Sequence, residues 1–229
     1  MDKEHIHVAI VSDVACPWCY IGKRRLEKAL AQWQGAPVVI TWHPFQLDPT
    51  LPEEGLDMRT YLSQKFGDTQ QIQEMTDRLT ALGAEEGIDF NFGPPMRAVR
   101  TLPLHQLMHV AGEEGFKDAL KERFFKAYFT ENLHLNEAEV LEGIMSHFGW
   151  EAEKTRAVLN DDTIAYSVKQ EIGHYQQRGV SGVPFFIVND TYGISGAQPP
   201  EAFLEVFAKV SNVPTIPDGK SCGTNGADC

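Results

Sequence analysis

Two cysteines three residues apart, in Cys16-Pro17-Trp18-Cys19, constrain this chain more than any other feature. Residues 6–11 run or alternate apolar over the length of a strand, and Ser12-Asp13 breaks that pattern. Beyond the pair, Cys19, Leu26, Ala29, Leu30 and Trp33 recur at three- and four-residue steps, while Lys23, Arg24, Glu27 and Lys28 take other faces. This is an amphipathic helix, closed near Gly35 and Pro37, so the pair opens a helix directly after a strand. Residues 38–45 are β-branched and aromatic and complete a βαβ unit of about 40 residues with the second strand parallel to the first.

At such a junction the first cysteine meets the unpaired N–H groups of the helix start, whose dipoles favour a thiolate. Each unit of pKa depression is worth about 1.4 kcal/mol and raises the ionised fraction of a thiol whose ordinary value is about 8.5. On this reading Cys16 is the nucleophile and Cys19 the resolving thiol. Two other readings stand beside it. One is half of a zinc site, although the eight histidines are scattered and no pair spaced by three to five residues stands beside a second C-x-x-C; the other is a buried structural pair.

Acidic residues number 32 against 20 basic ones, a net charge of −12, and that field repels phosphate backbones and anionic lipid. Nucleic acid and membranes are therefore not expected partners, and no apolar run approaches the roughly 20 residues that span a bilayer. The segment Met1-Asp2-Lys3-Glu4-His5 has no basic n-region and no long apolar stretch after it, which points to the cytoplasm. In that reducing compartment cysteine pairs are catalytic, redox-sensing or metal-binding.

After the turn-rich residues 48–52, helical periodicity dominates: 56–82, then 96–111, 116–129, 137–148, 151–160 and 162–178, with a Gly- and Pro-punctuated loop at 83–95. Five or six helices packed as a bundle are expected, with Pro103 in a first turn or at a kink. Strand character returns at Phe185-Phe186-Ile187-Val188, turns at Asn189-Asp190 and continues to Ser195, an antiparallel hairpin. A last helix follows from Pro199 to Val210, and residues 211–229 are polar and aperiodic. Gly182-Val183-Pro184 directly precedes the returning strand. It reads either as a plain turn or as a cis-proline loop offering Val183 backbone groups to an extended partner.

The order β-strand, Cys16-Pro17-Trp18-Cys19-Tyr20-Ile21-Gly22, long helical stretch, Gly179-Val180-Ser181-Gly182-Val183-Pro184, then Gly193-Ile194-Ser195-Gly196-Ala197-Gln198 resembles the DsbA superfamily of thioredoxin-fold oxidoreductases, in its FrnE-like branch. Ala127-Tyr128-Phe129-Thr130 and Arg156-Ala157-Val158-Leu159 add to the resemblance. It implies an α/β, thioredoxin-like fold with a large all-helical insertion: residues 1–55 and 176–210 form a discontinuous thioredoxin-like domain, 56–175 the insertion and 211–229 a flexible tail. It also implies dithiol–disulfide exchange, with Cys16 attacking, Cys19 resolving and Val183-Pro184 as the cis-proline loop. Pro17, Trp18, Val183 and Pro184 would contact substrate. The substrates would be disulfide-containing proteins or small thiols, glutathione among them, and no cofactor or metal enters this reading.

Asp13, three residues before Cys16, is either a buried proton acceptor for Cys19 or a turn former. Trp18 and Tyr20 would rim the site or simply pack, and His105, alone on a helix, reads as structural. Cys222 and Cys229 place two thiols in the tail, among glycines that would let a ring close without much strain. A coil from Ser211 to Cys229 spans about 22–26 Å, which would let this pair exchange electrons with Cys16 and Cys19; it could also be inert or complete a four-thiolate metal site. Two other functions fit the same residues: a glutathione-dependent transferase or isomerase on this fold, and a non-enzymatic thiol-rich metal-binding or chaperone-like protein.

Overall fold

A computed structural model describes residues 5–211. In chain order the elements are β1 (Ile6–Ser12), α1 (Pro17–Gln32), β2 (Val38–Pro44), β3 (Leu56–Asp57), α2 (Met58–Phe66), α3 (Thr69–Glu85), β4 (Arg97–Ala98) and α4 (Leu102–Glu113). They continue with α5 (Lys117–Phe129), α6 (Ala138–Ser146), α7 (Ala152–Leu159), α8 (Asp162–Gln177), β5 (Phe185–Val188), β6 (Tyr192–Ser195) and α9 (Pro200–Ser211).

The main sheet has the order β2-β1-β5-β6. β1 runs parallel to β2 in a register from Ile6 opposite Val38 to Ser12 opposite Pro44, and antiparallel to β5 with Val11 opposite Phe185. Successive side chains of a strand point to opposite faces, which gives β1 two apolar sides. Ile6, Val8 and Ile10 join the larger core with Leu26 of α1 and with Phe203 and Phe207 of α9; Val11 turns the other way, toward Tyr175 of α8 and Val180. The hairpin turns as its residues demand, with Asn189 and Asp190 both at positive φ and the Asn189 side chain accepting from the His7 N–H at 2.8 Å.

Between β2 and β5 lie α2 to α8, the helical insertion of a thioredoxin-like fold. It holds seven helices among the described residues rather than five or six. The stretch read as one helix over 56–82 is broken, because Gly67 takes φ +79° and Asp68 caps α3 through its carboxylate, which accepts from the Gln70 N–H. The helix expected from Met96 starts at Leu102 instead. Arg97–Ala98 pair with Leu56–Asp57 in a two-stranded ladder that the sequence reading did not anticipate, and Pro103 falls in the first turn of α4. None of the nine residues of α2 is fully buried, and the helix is flanked by Gly55 at φ +67° and Gly67.

The insertion grips the sheet layer through α1 and α5. The Tyr20 ring stacks on Phe125 with centroids 4.8 Å apart, and its hydroxyl donates to Glu122 at 2.9 Å. Glu122 also receives Lys23 at 2.9 Å and Arg24. On the far side of α1, Phe186 and Phe203 meet edge to face at 4.8 Å, both fully buried. Phe186→Ala empties that contact and is expected to cost about 3–5 kcal/mol. The measurement is the midpoint of urea unfolding at constant slope.

Candidate active site

Cys16 is the residue immediately before α1, with φ −98° and ψ 109°, and Pro17 opens the helix where its missing N–H costs nothing. The Cys16 N–H bonds the Asp13 carbonyl at 3.3 Å and the Cys19 N–H bonds the Cys16 carbonyl at 3.0 Å, so one tight turn sets both sulfurs. Both are free thiols, 3% and 1% exposed. The Cys16 thiol donates to the Val183 carbonyl at 3.5 Å. The Val183–Pro184 peptide is cis, as the resemblance implies. Pro184 is buried beside Gly22, where a Cβ would stand 3.1 Å from Pro184 Cγ and from Phe186 Cζ, so the absence of a side chain there lets α1 approach this loop.

A cavity of about 250 Å³ opens over the first cysteine. Cys16, Pro17, Trp18 and Val183 form its floor, and Met58, Leu62, Met75 and Phe129 supply apolar walls. Cys19 does not reach it. The cavity lies against α2, whose Tyr61, Lys65 and Phe66 form part of the rim. Val183 and Trp18 are half-buried here, and Gly182 and Ser181 are exposed beside them.

The two thiols share one site and titrate together. Burial pushes the Cys16 thiol up, and the Cys19 sulfur raises it further. Burial acts in the same direction on Cys19, but the hydrogen bond from Cys16, the charge of Lys121 and the Ser12 hydroxyl outweigh it and hold that thiol down. The first negative charge of the reduced pair is thus drawn to the inner sulfur, and the helix start, which the sequence reading credited with a thiolate at Cys16, is not the dominant influence on that residue. Lys121, fully buried on α5, is pushed down to about 8, first by burial, against the opposing pull of Cys19 and Asp13.

Asp13 is 1% exposed and lines the same cavity. Its carboxylate accepts from the Leu47 N–H at 2.7 Å and the Ala15 N–H at 3.4 Å. His105 Nε2, whose hydrogen bond to the Phe45 carbonyl at 2.9 Å makes it a donor, lies 3.4 Å from Oδ1, the oxygen that Ala15 also reaches. Burial alone raises the Asp13 pKa, and the hydrogen bond and charge of His105 together with Leu47 overcome it, leaving the group below the usual carboxylate range. An acid held ionised in this way is a weak proton acceptor and a strong anchor for the loop that follows β2.

The turn, Cys16, Pro17, Trp18, Val183 and Asp13 therefore converge on one cavity, with Cys19 and Pro184 behind it. Cys222 and Cys229 lie outside the described residues. No group of three or more His, Cys, Asp or Glu able to hold a metal ion occurs among the described residues. Lys121, Ser12 and the Leu47 N–H were missed from sequence. The signal for Lys121 was there: it sits three and four residues before Phe124 and Phe125, on the stripe that faces the core. Asp13→Ala is expected to cost about 3 kcal/mol by orphaning the Leu47 and Ala15 N–H donors and removing the carboxylate beside His105. Because the native pKa is lowered, the stabilisation is complete above about pH 4 and is lost as pH falls through the native value. Urea midpoints between pH 7 and 3 should drop more steeply in wild type than in the variant.

Residues 7–208 match the DSBA-like thioredoxin domain family. The probable DsbA oxidoreductase SCO1869 from Streptomyces coelicolor superposes with a TM-score of 0.86 at 36% identity, over 98% of this chain and 99% of that one. The uncharacterized protein YwbO of Bacillus subtilis is 27% identical over 204 residues, 89% of this chain and 96% of its own. The cytosolic disulfide reductase DsbM from Pseudomonas aeruginosa shares the fold at 16% identity, with a TM-score of 0.62 over 89% of this chain and 99% of its own, and has also been solved with GSH. With a buried dithiol opening α1 and a match that spans nearly its whole length, this chain belongs to the DSBA-like thioredoxin family.

Proposed function

We propose that the protein is a cytoplasmic thiol–disulfide oxidoreductase working by dithiol–disulfide exchange through Cys16 and Cys19. The observation that carries the reading is the unequal access of the two sulfurs: Cys16 lines the cavity and Cys19 lies behind it. That arrangement suits an attacking thiol and a resolving thiol. Residues 1–55 and 176–210 supply the thioredoxin-like frame in this proposal, and residues 56–175 supply most of the cavity wall.

In the reducing direction the Cys16 proton passes to the Cys19 sulfur, and the Cys16 thiolate attacks a client disulfide RS–SR′ in line. The Cys16–SR bond forms, the S–S bond breaks, and R′S⁻ leaves. Cys19 then loses its proton and attacks the Cys16 sulfur, releasing the second client sulfur and closing the Cys16–Cys19 disulfide. Two electrons reach the client. Of the two protons its thiols take up, one comes from the dithiol and one from water. Run backwards, the same steps oxidise a client dithiol; the reduction potential sets the direction.

An extended client would run beside Val183 and Trp18, with exposed Gly182 and Ser181 leaving room for its backbone. The apolar walls suit a hydrophobic side chain next to the client cysteine. Glutathione is proposed as a mixed-disulfide partner in line with the GSH complex of DsbM. The Cys222–Cys229 pair is proposed as an auxiliary relay.

Insulin reduction with dithiothreitol or glutathione tests the assignment. Cys16→Ser is expected to fall to the uncatalysed background, and Cys19→Ser to accumulate a mixed disulfide on Cys16. The Cys222→Ser, Cys229→Ser double variant is expected to slow turnover without abolishing it. Undiminished activity in Cys16→Ser would overturn the mechanism.

A further inference from the structure

Lys121 is the buried charge that this exchange leaves unused. It shares the inward stripe of α5 with Leu120, Phe124 and Phe125 and is 0% exposed. Its Nζ has no hydrogen-bond partner among the described residues, and it stands 4.7 Å from the Phe125 ring centroid and 5.5 Å from that of Trp42. An ammonium withdrawn from water costs several kcal/mol unless an anion faces it, and ring faces offset only part of that. The charged and ionisable groups near enough to act on it are Cys19 and Cys16 at the start of α1 and Asp13 after β1, with Lys117 one turn back on α5 opposing. The Asp13 carboxylate is already engaged by Leu47 and His105. The ionisable group left to answer Lys121 is the dithiol.

We propose that Lys121 is a positioning residue for the redox pair: its ammonium is the counter-charge of the single thiolate in the reduced protein and is stranded when the pair becomes a disulfide. The inference rests on the dithiol reading above. The balance is explicit. One thiol and one thiolate react with RS–SR′ to give the Cys16–Cys19 disulfide, RSH and R′S⁻; two electrons and the one thiol proton go to the client, and R′S⁻ is protonated by solvent. The negative charge leaves with the client while the ammonium stays behind. Lys121 thereby stabilises the reduced form, penalises the oxidised form and raises the reduction potential. It also gives up its proton at lower pH in the oxidised protein than in the reduced one.

Lys121→Met keeps the length of the side chain and removes the charge. The onset of thiolate absorbance is expected to move up by about one pH unit or more. The equilibrium in a glutathione redox buffer should move about tenfold toward the disulfide, which is about 30 mV for a two-electron couple. The variant should also gain thermal stability over wild type in the oxidised form and not in the reduced form, a difference that a purely structural lysine would not produce. A folded variant with the wild-type thiolate onset and redox equilibrium overturns the proposal. Should Lys121→Met not fold, the ¹³Cε signal of Lys121 in the wild-type protein is titrated in both redox states. Titration at lower pH in the oxidised protein supports the proposal, and superimposed curves overturn it. Neither readout needs a client, so a failed insulin assay and a failed role for Lys121 are separate outcomes.

Discussion

The contact between α1 and α5, made by Tyr20 stacked on Phe125 and by Glu122 gathering Tyr20, Lys23 and Arg24, fixes the helix whose start carries both cysteines. These groups are largely withdrawn from water, with Lys23 5% exposed, so the ion pairs are screened less than surface ones and are tied to aromatic packing. On the opposite side α1 rests on Phe186 and the Pro184 loop at Gly22. One helix is thus clamped between a sheet and an inserted bundle, and its first turn lies where the two meet.

That placement explains the electrostatics better than the helix start does. The two sulfurs are buried together with one carboxylate and one ammonium, Asp13 and Lys121, supplied by the end of β1 and by α5. In such a closed group each charge is set by the others, and the outer sulfur differs from the inner one chiefly in what it faces: a cavity and the Val183 carbonyl on one side, Ser12 and Lys121 on the other. Two thiols of the same chemical type are made unequal by their surroundings alone.

Much of this was legible in the sequence. Period-two apolar residues before Cys16, period-3.6 residues after it and the Asn189-Asp190 turn fixed the sheet and its flanking helices because each is a local pattern. What escaped was non-local or lay in a short break between two periodic stretches. Apolar residues resume at Ile72 after the polar stretch that follows Phe66, and Gly67-Asp68 at its start, a C-terminal glycine followed by a capping aspartate, marks the break between the two helices. The β3–β4 ladder joins residues about 40 apart by backbone hydrogen bonds that carry no side-chain signature. Lys121 was hidden by the habit of reading lysine as solvent-facing; its place on the stripe said otherwise.

The position of α2 has a consequence for how such a protein can change over generations. This helix walls the cavity over Cys16, yet buries no residue fully and hangs between two glycines of left-handed backbone. Tyr61, Leu62 and Phe66 can therefore be exchanged without opening holes in the core that keeps the molecule folded, whereas the same exchanges at Phe125 or Phe186 would open one. Selection can thus remodel the cavity over Cys16 at little expense to folding, while the dithiol and its surroundings remain locked in place.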